Sequence, residues 1–141
     1  MKIFARLFQS TRNSFKAGDI VKETRIVTRQ ELDLFSNLSG DHNPIHKSSS
    51  NCQPLVHGAF LNSIISGVIG TKLPGPGTIL VSQSFNFPSK CFTDLPIEVT
   101  VELLDVRKIM RVRYECLQSG NVVLQGEAKI TMNKEIRFKD N

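Results

Sequence analysis

One apolar segment, residues 58–70, constrains the fold of this chain more than any other feature of its sequence. Its apolar side chains would lie on almost every side of a helix, which is typical of a helix buried on most sides. Four small residues within it would let a sheet or a partner approach closely: Ser63, Ser66, Gly67 and Gly70. Residues 73–77, Leu-Pro-Gly-Pro-Gly, then end the helix, because proline and glycine interrupt helical hydrogen bonding.

Four later segments alternate apolar and polar residues with a period of two, the pattern of strands that face a core on one side. The alternating apolar residues are Ile79, Val81, Phe85 and Phe87, then Ile97, Val99, Val101 and Leu103, then Val112, Tyr114 and Cys116, and finally Val122, Leu124, Ala128, Ile130 and Met132. Between the last two segments, Ser119-Gly120-Asn121 suits a tight hairpin turn. We therefore expect four strands that pair in an antiparallel way.

A further strand and a short helix are predicted before the apolar helix. Residues 20–27 have the pattern of a strand. Thr28 and Glu31 then form a capping-box pattern, in which the hydroxyl accepts the Glu31 amide and the Glu31 side chain reaches back. The helix that follows is predicted to place three apolar residues on one face: Leu32, Phe35 and Leu38. Ser39-Gly40-Asp41 is expected to end it.

Together these elements predict an α+β chain in which one antiparallel sheet wraps around one long apolar helix. Residues 17–133 contain no repeat, low-complexity tract or linker, so they are predicted to form one domain. Residues 134–141 are predicted to be a polar tail. A single sheet around one helix leaves sheet edges and a face to cover, which predicts a dimer.

The N-terminal segment differs in charge from the rest of the chain. Residues 1–16 contain four basic residues and no acidic residue; without them the net charge falls from +5 to +1, because 14 basic and 13 acidic residues remain. The segment is also amphipathic as a helix, which is typical of a mitochondrial transit segment. The alternatives are a disordered basic tail or a docked first segment. Because the domain itself is nearly neutral, the chain is not expected to bind nucleic acid.

Cysteine spacing and hydropathy argue against three further classes of protein. Cys52, Cys91 and Cys116 form no CxxC pair and are odd in number, so we expect free thiols rather than a disulfide framework or a zinc finger. No run of eighteen apolar residues exists, so no membrane-spanning helix is expected.

The loop over residues 40–57 carries the most informative chemistry. It places a carboxylate, an amide and two imidazoles within six residues: Asp41, His42, Asn43 and His46. Pro44 restrains its own backbone and that of the residue before it, so the loop is predicted to be rigid. Asp41 and His46 are therefore predicted to point into one cavity, with His42 facing away.

Both members of this pair also have a structural interpretation. Asp41 is the sole acidic residue in the stretch 34–93 and follows a glycine, where an aspartate commonly forms an Asx turn. His46 taken alone is more typical of a satisfied, partly buried histidine. Their joint presence in this pattern favours an acid/base pair.

Gly58 begins the apolar helix directly after Pro54-Leu55-Val56-His57. A helix N-terminus presents backbone N–H groups without intrahelical partners and the positive end of the helix dipole. Since Gly58 has no side chain, a ligand oxygen could reach these groups, which would polarise a carbonyl or bind an anion. The alternative is that Gly58 permits close packing and that His57 caps or packs nearby; a catalytic base at His57 is less favoured.

Other chemistries lack their motifs. The sequence contains no GxSxG, no Walker A motif and no HExxH. Asp41, His42 and His46 could suggest a metal site, but a proline in the connecting turn and the lack of another acidic residue nearby argue against one.

Five segments follow one another in an order that identifies a known family. They are Phe35-x-x-Leu38-Ser39-Gly40-Asp41-x-Asn43-Pro44-Ile45-His46, Val56-His57-Gly58-Ala59-Phe60-Leu61, Ser66-Gly67, Leu73-Pro74-Gly75-x-Gly77 and Ser82-Gln83-Ser84-Phe85-x-Phe87. They resemble the signature of the MaoC-like family, the (R)-specific enoyl hydratases. The first segment is highly specific, and the resemblance covers residues 17–133.

The resemblance implies a hot-dog fold, a homodimer and reversible dehydration of (3R)-3-hydroxyacyl thioesters to trans-2-enoyl thioesters of acyl-carrier protein or coenzyme A. It implies that Asp41 and His46 hold the eliminated water, with His46 acting at carbon and Asp41 at the hydroxyl. It implies the Gly58 amide as oxyanion donor, Asn43 as a residue that orients the water or the loop, and Ser66 as a residue that orients Asp41. In a mitochondrion this would be the dehydratase step of fatty-acid synthesis. No metal or redox cofactor is implied.

The chain departs from the family between His46 and His57. Only residues 47–56 connect these histidines, whereas the family usually has several more residues there, including a helical segment near the acyl pocket. This departure motivates a second hypothesis, a non-catalytic acyl-thioester-binding subunit. A hot-dog thioesterase is the third. Three lysines are predicted to offer a basic rim to an acidic carrier or to phosphates: Lys47, Lys72 and Lys90.

Overall fold

The computed structural model describes residues 15–49 and 51–133. Within these ranges the chain forms five strands and two α-helices: β1 (Ile20–Ile26), α1 (Arg29–Ser39), α2 (Gly58–Thr71), β2 (Thr78–Asn86), β3 (Pro96–Asp105), β4 (Met110–Gln118) and β5 (Asn121–Met132). All paired strands run antiparallel in the order β1-β3-β4-β5-β2. The predicted α+β class is confirmed. Residues 1–14 of the predicted transit segment and the predicted tail at 134–141 lie outside the described residues.

The centre of the sheet and one side of α2 form the core. Every predicted inward residue of β3 is at most 1% exposed: Ile97, Val99, Val101 and Leu103. The predicted inward residues of β4 are equally buried, and α2 adds Leu61, Ile65, Val68 and Ile69. Burying one such side chain stabilises the fold by about 1.5–3 kcal/mol. The period-two pattern therefore predicted the two central strands correctly.

The hairpin between β4 and β5 has the predicted turn. Ser119 and Gly120 both have positive φ, 51° and 77°, which is the geometry of a two-residue turn between twisted strands. A bulge between Cys116 and Leu117 changes the register of the pair just before this turn. As a result Val123 is buried and Val122 is only half-buried, the reverse of what the alternation predicted.

The capping box of α1 is present, but one of its apolar residues is not on the buried face. Thr28 Oγ1 accepts the Glu31 amide, and Glu31 Oε2 accepts the Thr28 amide at 2.8 Å. Leu38, in contrast, is 86% exposed, whereas Ser36 is buried. A helix has 3.6 residues per turn, so residues spaced by three change direction around its axis with each step. Leu38 therefore points about 120° away from Leu32, whereas Ser36 points only about 40° away from Leu32. The predicted placement of Leu38 is wrong for this reason.

The strand β2 forms as predicted, but its apolar residues are not buried in this chain. Ile79, Val81, Phe85 and Phe87 are 40–53% exposed, because β2 is the last strand of the sheet and pairs on one side with β5. The half-buried Gln83 hydrogen-bonds to Asn62 of α2 and to Tyr114.

The small residues of α2 lie on an exposed face. Ala59, Ser63, Ser66 and Gly67 are exposed in the single chain, so the prediction that this helix is buried on most sides is wrong for the single chain. Neither α1 nor α2 is long and apolar enough to cross a membrane.

Candidate active site

Hydrogen bonds from side chains to backbone shape the loop after α1. The helix ends at Gly40, whose φ of 78° is in the left-handed region that favours glycine. Ser39 Oγ accepts the Asp41 amide at 3.1 Å, and Asp41 Oδ1 accepts the Asn43 amide at 3.1 Å. Asn43 Oδ1 in turn accepts the Ile45 amide at 3.3 Å and caps the 3-10 turn that follows. Asp41 thus forms an Asx turn with Oδ1, and its second oxygen, Oδ2, is not used in this turn.

The structure brings Asp41 and His46 together. Nε2 of His46 lies 3.6 Å from Oδ2 of Asp41. The His46 side chain is 8% exposed and the Asp41 side chain 48%, so a ligand can reach the pair from the Asp41 side. Nδ1 of His46 lies 2.7 Å from the carbonyl oxygen of Leu55. Because a carbonyl only accepts, Nδ1 carries a proton, and in the neutral ring Nε2 keeps its lone pair on the side of Asp41.

His57 lies behind this pair. It is 1% exposed, and its ring stacks on the His46 ring with centroids 3.6 Å apart. Its Nε2 lies 3.1 Å from Ser36 Oγ and 3.4 Å from the backbone carbonyl oxygen of Asp41. Burial, and next the neighbouring His46, lower the pKa of His57 below its ordinary value. Because the ring is buried behind His46, it fits the packing interpretation of His57 better than that of a catalytic base that must reach a substrate.

Ser36 is the residue of this site that the sequence analysis missed. It lies on α1 and is buried against His57, with no motif around it that marks a polar contact. One signal was available: Ser36 follows Leu32 by four residues, and residues four apart share a helix face. The hydroxyl therefore belongs to the buried side of α1.

Gly58 is the first residue of α2, as predicted, and the ring of Phe87 lies against it. A Cβ built on Gly58 would meet Phe87 Cζ at 2.7 Å, a distance too short for two carbon atoms. His57, the N-cap residue, makes no side-chain cap, so it does not cover the helix N-terminus. Glycine at this position thus meets a packing requirement and leaves the first amides of α2 uncapped by a side chain.

The remaining predicted residues lie around the loop and along α2. Asn43 shapes the loop through its contact with Ile45. Ser66 is exposed on α2, two turns beyond Gly58, and a role for it beside Asp41 stays a prediction. His42 is exposed, as predicted.

Asp41, His46 and His57 each place one donor atom within 4.8 Å of the others, a set that contains metal-ligating residue types. The stacked rings do not suit a shared ion. Their planes are 20° from parallel with centroids 3.6 Å apart, so the planes converge only well beyond the metal–nitrogen bond length of about 2 Å. In the observed rotamers one ion cannot meet both lone pairs in the ring planes.

The predicted basic rim is reduced by one ion pair. Nζ of Lys72 contacts Oε2 of Glu23 on β1, which neutralises this charge. Lys47 and Lys90 are exposed. The rim therefore retains two of its three predicted cations.

The Asp41–His46 pair thus lies beside His57, the residue before α2, and comparison with known proteins defines the family. No family model matches the chain. The (R)-specific enoyl-CoA hydratase of Rhodospirillum rubrum is 35% identical over 124 residues, which cover 82% of this chain and 86% of that protein. The mitochondrial 3-hydroxyacyl-[acyl-carrier-protein] dehydratase of Arabidopsis thaliana is 27% identical over 132 residues, which cover 84% of this chain and 78% of that protein.

A solved structure agrees with these relatives. The (R)-hydratase from A. caviae superposes with a TM-score of 0.79 at 27% identity, over 86% of this chain and 99% of that one. The chain therefore belongs to the MaoC-like family of (R)-specific enoyl hydratases and is a hydro-lyase with a hot-dog fold.

Proposed function

We propose that this chain interconverts (3R)-3-hydroxyacyl thioesters and trans-2-enoyl thioesters. The observation that carries the proposal is the distance of 3.6 Å between His46 Nε2 and Asp41 Oδ2. Both residues lie on one loop that is held by hydrogen bonds between its own side chains and backbone. The name of the R. rubrum relative, an (R)-specific enoyl-CoA hydratase, supports the same reaction class.

The two side chains supply what the reaction needs. Dehydration removes a proton from C2, beside the thioester carbonyl, and breaks the C3–O bond. His46 Nε2, with its lone pair free, takes the C2 proton, and Asp41 delivers a proton to the hydroxyl, which leaves as water. The proton on His46 then returns to Asp41 across the pair, so the enzyme ends as it began. The two groups titrate as a coupled pair, and the reversed assignment uses the same geometry.

The Gly58 amide is proposed to stabilise the enolate-like oxygen that develops on the thioester carbonyl. The amide belongs to the first residue of α2, where N–H groups lack intrahelical acceptors. One such donor typically contributes about 3–4 kcal/mol to transition-state stabilisation. Asn43 keeps the loop in shape, and Ser66 is proposed to orient Asp41.

We further propose that the physiological substrate is carried by acyl-carrier protein in mitochondrial fatty-acid synthesis. The Arabidopsis relative, a mitochondrial dehydratase of acyl-carrier-protein substrates, supports this. The acid-free, basic residues 1–16 support the same location. Coenzyme A is the alternative carrier, as in the name of the R. rubrum relative.

The test is a hydration assay with purified full-length protein. A short trans-2-enoyl thioester, offered on coenzyme A and on acyl-carrier protein, is expected to lose its conjugated ultraviolet band as the (R)-3-hydroxy product forms. A lower KM for the carrier-protein thioester would support the carrier assignment. Binding without turnover would overturn the proposal in favour of a binding subunit, and release of free thiol would favour a thioesterase.

We also propose that two copies associate through β2. This strand ends the sheet, and five apolar side chains in it or directly after it are about half-exposed: Ile79, Leu80, Val81, Phe85 and Phe87. An exposed apolar edge strand is a ready template for pairing with another strand. The exposed small-residue face of α2 adds a surface that a second backbone can approach closely.

Val81→Lys is expected to convert the dimer to a monomer, because the new charge would be buried between the paired edges. Light scattering after size exclusion should give twice 15.8 kDa for the wild type and a single copy for the variant. Val106→Lys is the matched control, since Val106 is similarly exposed but lies between β3 and β4. A dimer that survives Val81→Lys and dissociates with Val106→Lys would place the interface elsewhere.

A further inference from the structure

Ser36 and His57 form a polar contact directly behind the Asp41–His46 pair, and no step of the proposed reaction uses it. The contact joins α1 to the residue before α2 at 3.1 Å. Both residues are buried. Buried polar groups cost free energy unless they are hydrogen-bonded, and this contact provides a partner for both side chains.

We propose that His57 is a positioning residue that holds Asp41 and His46 in place, and that its Nε2 proton, shared with Ser36, ties it to the Asp41 carbonyl. The inference rests on the proposed function, because it assigns a role in that same reaction. His57 touches both members of the pair by different means. Its ring lies flat against His46, and its Nε2 faces the backbone carbonyl of Asp41.

The hydrogen-bond partners of His57 determine where its proton lies. The Asp41 carbonyl oxygen, 3.4 Å from Nε2, can only accept. Nδ1 of His57 is buried and has no hydrogen-bond partner among the described residues. A buried N–H without an acceptor is rarer and costlier than an unpaired acceptor. The proton therefore lies on Nε2 and is shared between the Asp41 carbonyl and Ser36 Oγ.

This arrangement keeps His57 uncharged. A second proton would have to lie on the buried Nδ1, where no residue in the described part of the chain accepts it. The titratable groups that face His57 are His46, which disfavours a charge, and Asp41, which favours one. Burial outweighs Asp41 and lowers the pKa of His57. A neutral ring can stack on His46 without repelling the proton that His46 takes up during the reaction.

Kinetics of two variants separate positioning from direct catalysis. His57→Gln removes the stacked ring, and Ser36→Ala removes one acceptor. Both are expected to lower kcat, by about 10- to 100-fold for His57→Gln and less for Ser36→Ala, with little change in KM. The acidic limb of the kcat/KM profile should stay in place, because His57 does not titrate in it. His42→Gln, at an exposed histidine of the same loop, is the matched control and should keep the wild-type rate.

The tautomer of His57 can be measured by NMR spectroscopy, independently of enzyme activity. In the full chain carrying ¹⁵N-labelled histidine, His57 is expected to show a proton on Nε2 and a free Nδ1 at neutral pH, and to titrate below the ordinary pKa of a histidine. In Ser36→Ala the Asp41 carbonyl still accepts the Nε2 proton, so the same tautomer is expected. Titration of His57 at or above the ordinary pKa of a histidine, a proton on Nδ1, or loss of the acidic limb in His57→Gln would overturn the proposal. If the wild type does not hydrate enoyl thioesters, the proposed function fails, while the spectrum still reports the tautomer of His57.

Discussion

His46→Gln is expected to lower kcat for enoyl-thioester hydration by about 10²- to 10⁴-fold, the range that a positioned acid or base contributes. Glutamine keeps a polar side chain of similar length, but it has no lone pair on nitrogen that can accept a proton. The contact of Nδ1 with Leu55 directs Nε2 toward Asp41, so no other nitrogen of this ring is available for the task. The rate of loss of the enoyl absorbance measures the effect.

Asp41→Asn is expected to cause a loss of the same order. Asparagine Oδ1 can still accept the Asn43 amide and keep the Asx turn, so the loop should hold its shape. What disappears is the proton exchange at Oδ2. Circular dichroism and the thermal midpoint should match the wild type for both variants. A folded Asp41→Asn or His46→Gln protein with a wild-type rate would remove the pair from the mechanism.

Gly58→Pro, in a Phe87→Leu background, is expected to lower kcat by about 10²- to 10³-fold through loss of one oxyanion donor. Proline has no N–H, and the first helical position tolerates it well. His57, the preceding residue, has φ −58° and ψ 135°, an extended conformation that is compatible with a following proline. The helix should therefore still begin at residue 58 while its first amide is gone.

The Phe87→Leu background and Gly58→Ala separate the amide from the packing. A Cβ at residue 58 would meet Phe87 Cζ at 2.7 Å, so the Phe87 ring would have to shift, and the shorter leucine removes this contact. Gly58→Ala with Phe87→Leu keeps the N–H and is expected to retain most of the activity of Phe87→Leu alone. Equal losses for alanine and proline would show that Gly58 is required for space and not for its amide.

Local patterns predicted the secondary structure well where the chain itself buries a face. The alternation in β3 and β4 identified buried side chains because those strands have neighbours on both sides. The same alternation in β2 predicted a strand but not its exposure, because the sequence does not state that β2 ends the sheet. Leu38 shows a different limit, since a spacing of three drifts around the helix.

In the candidate site, too, local patterns predicted some features and only the tertiary structure gave the others. The Asp41-x-Asn43-Pro44-x-His46 segment was recognisable because turn chemistry is local and proline restricts it. The contacts of Ser36 with His57 and of Phe87 with Gly58 join residues more than twenty positions apart, and no local pattern encodes them.

The sequence by itself determined the helix caps, the hairpin turn, the period-two strands and the loop that carries Asp41 and His46, because each depends on interactions between residues a few positions apart. Only the tertiary structure decided that β2 is an edge, that Phe87 covers Gly58 and that His57 stacks on His46. Those contacts depend on which elements pack together, and packing is a property of the whole core, set by shape and burial rather than by local spacing.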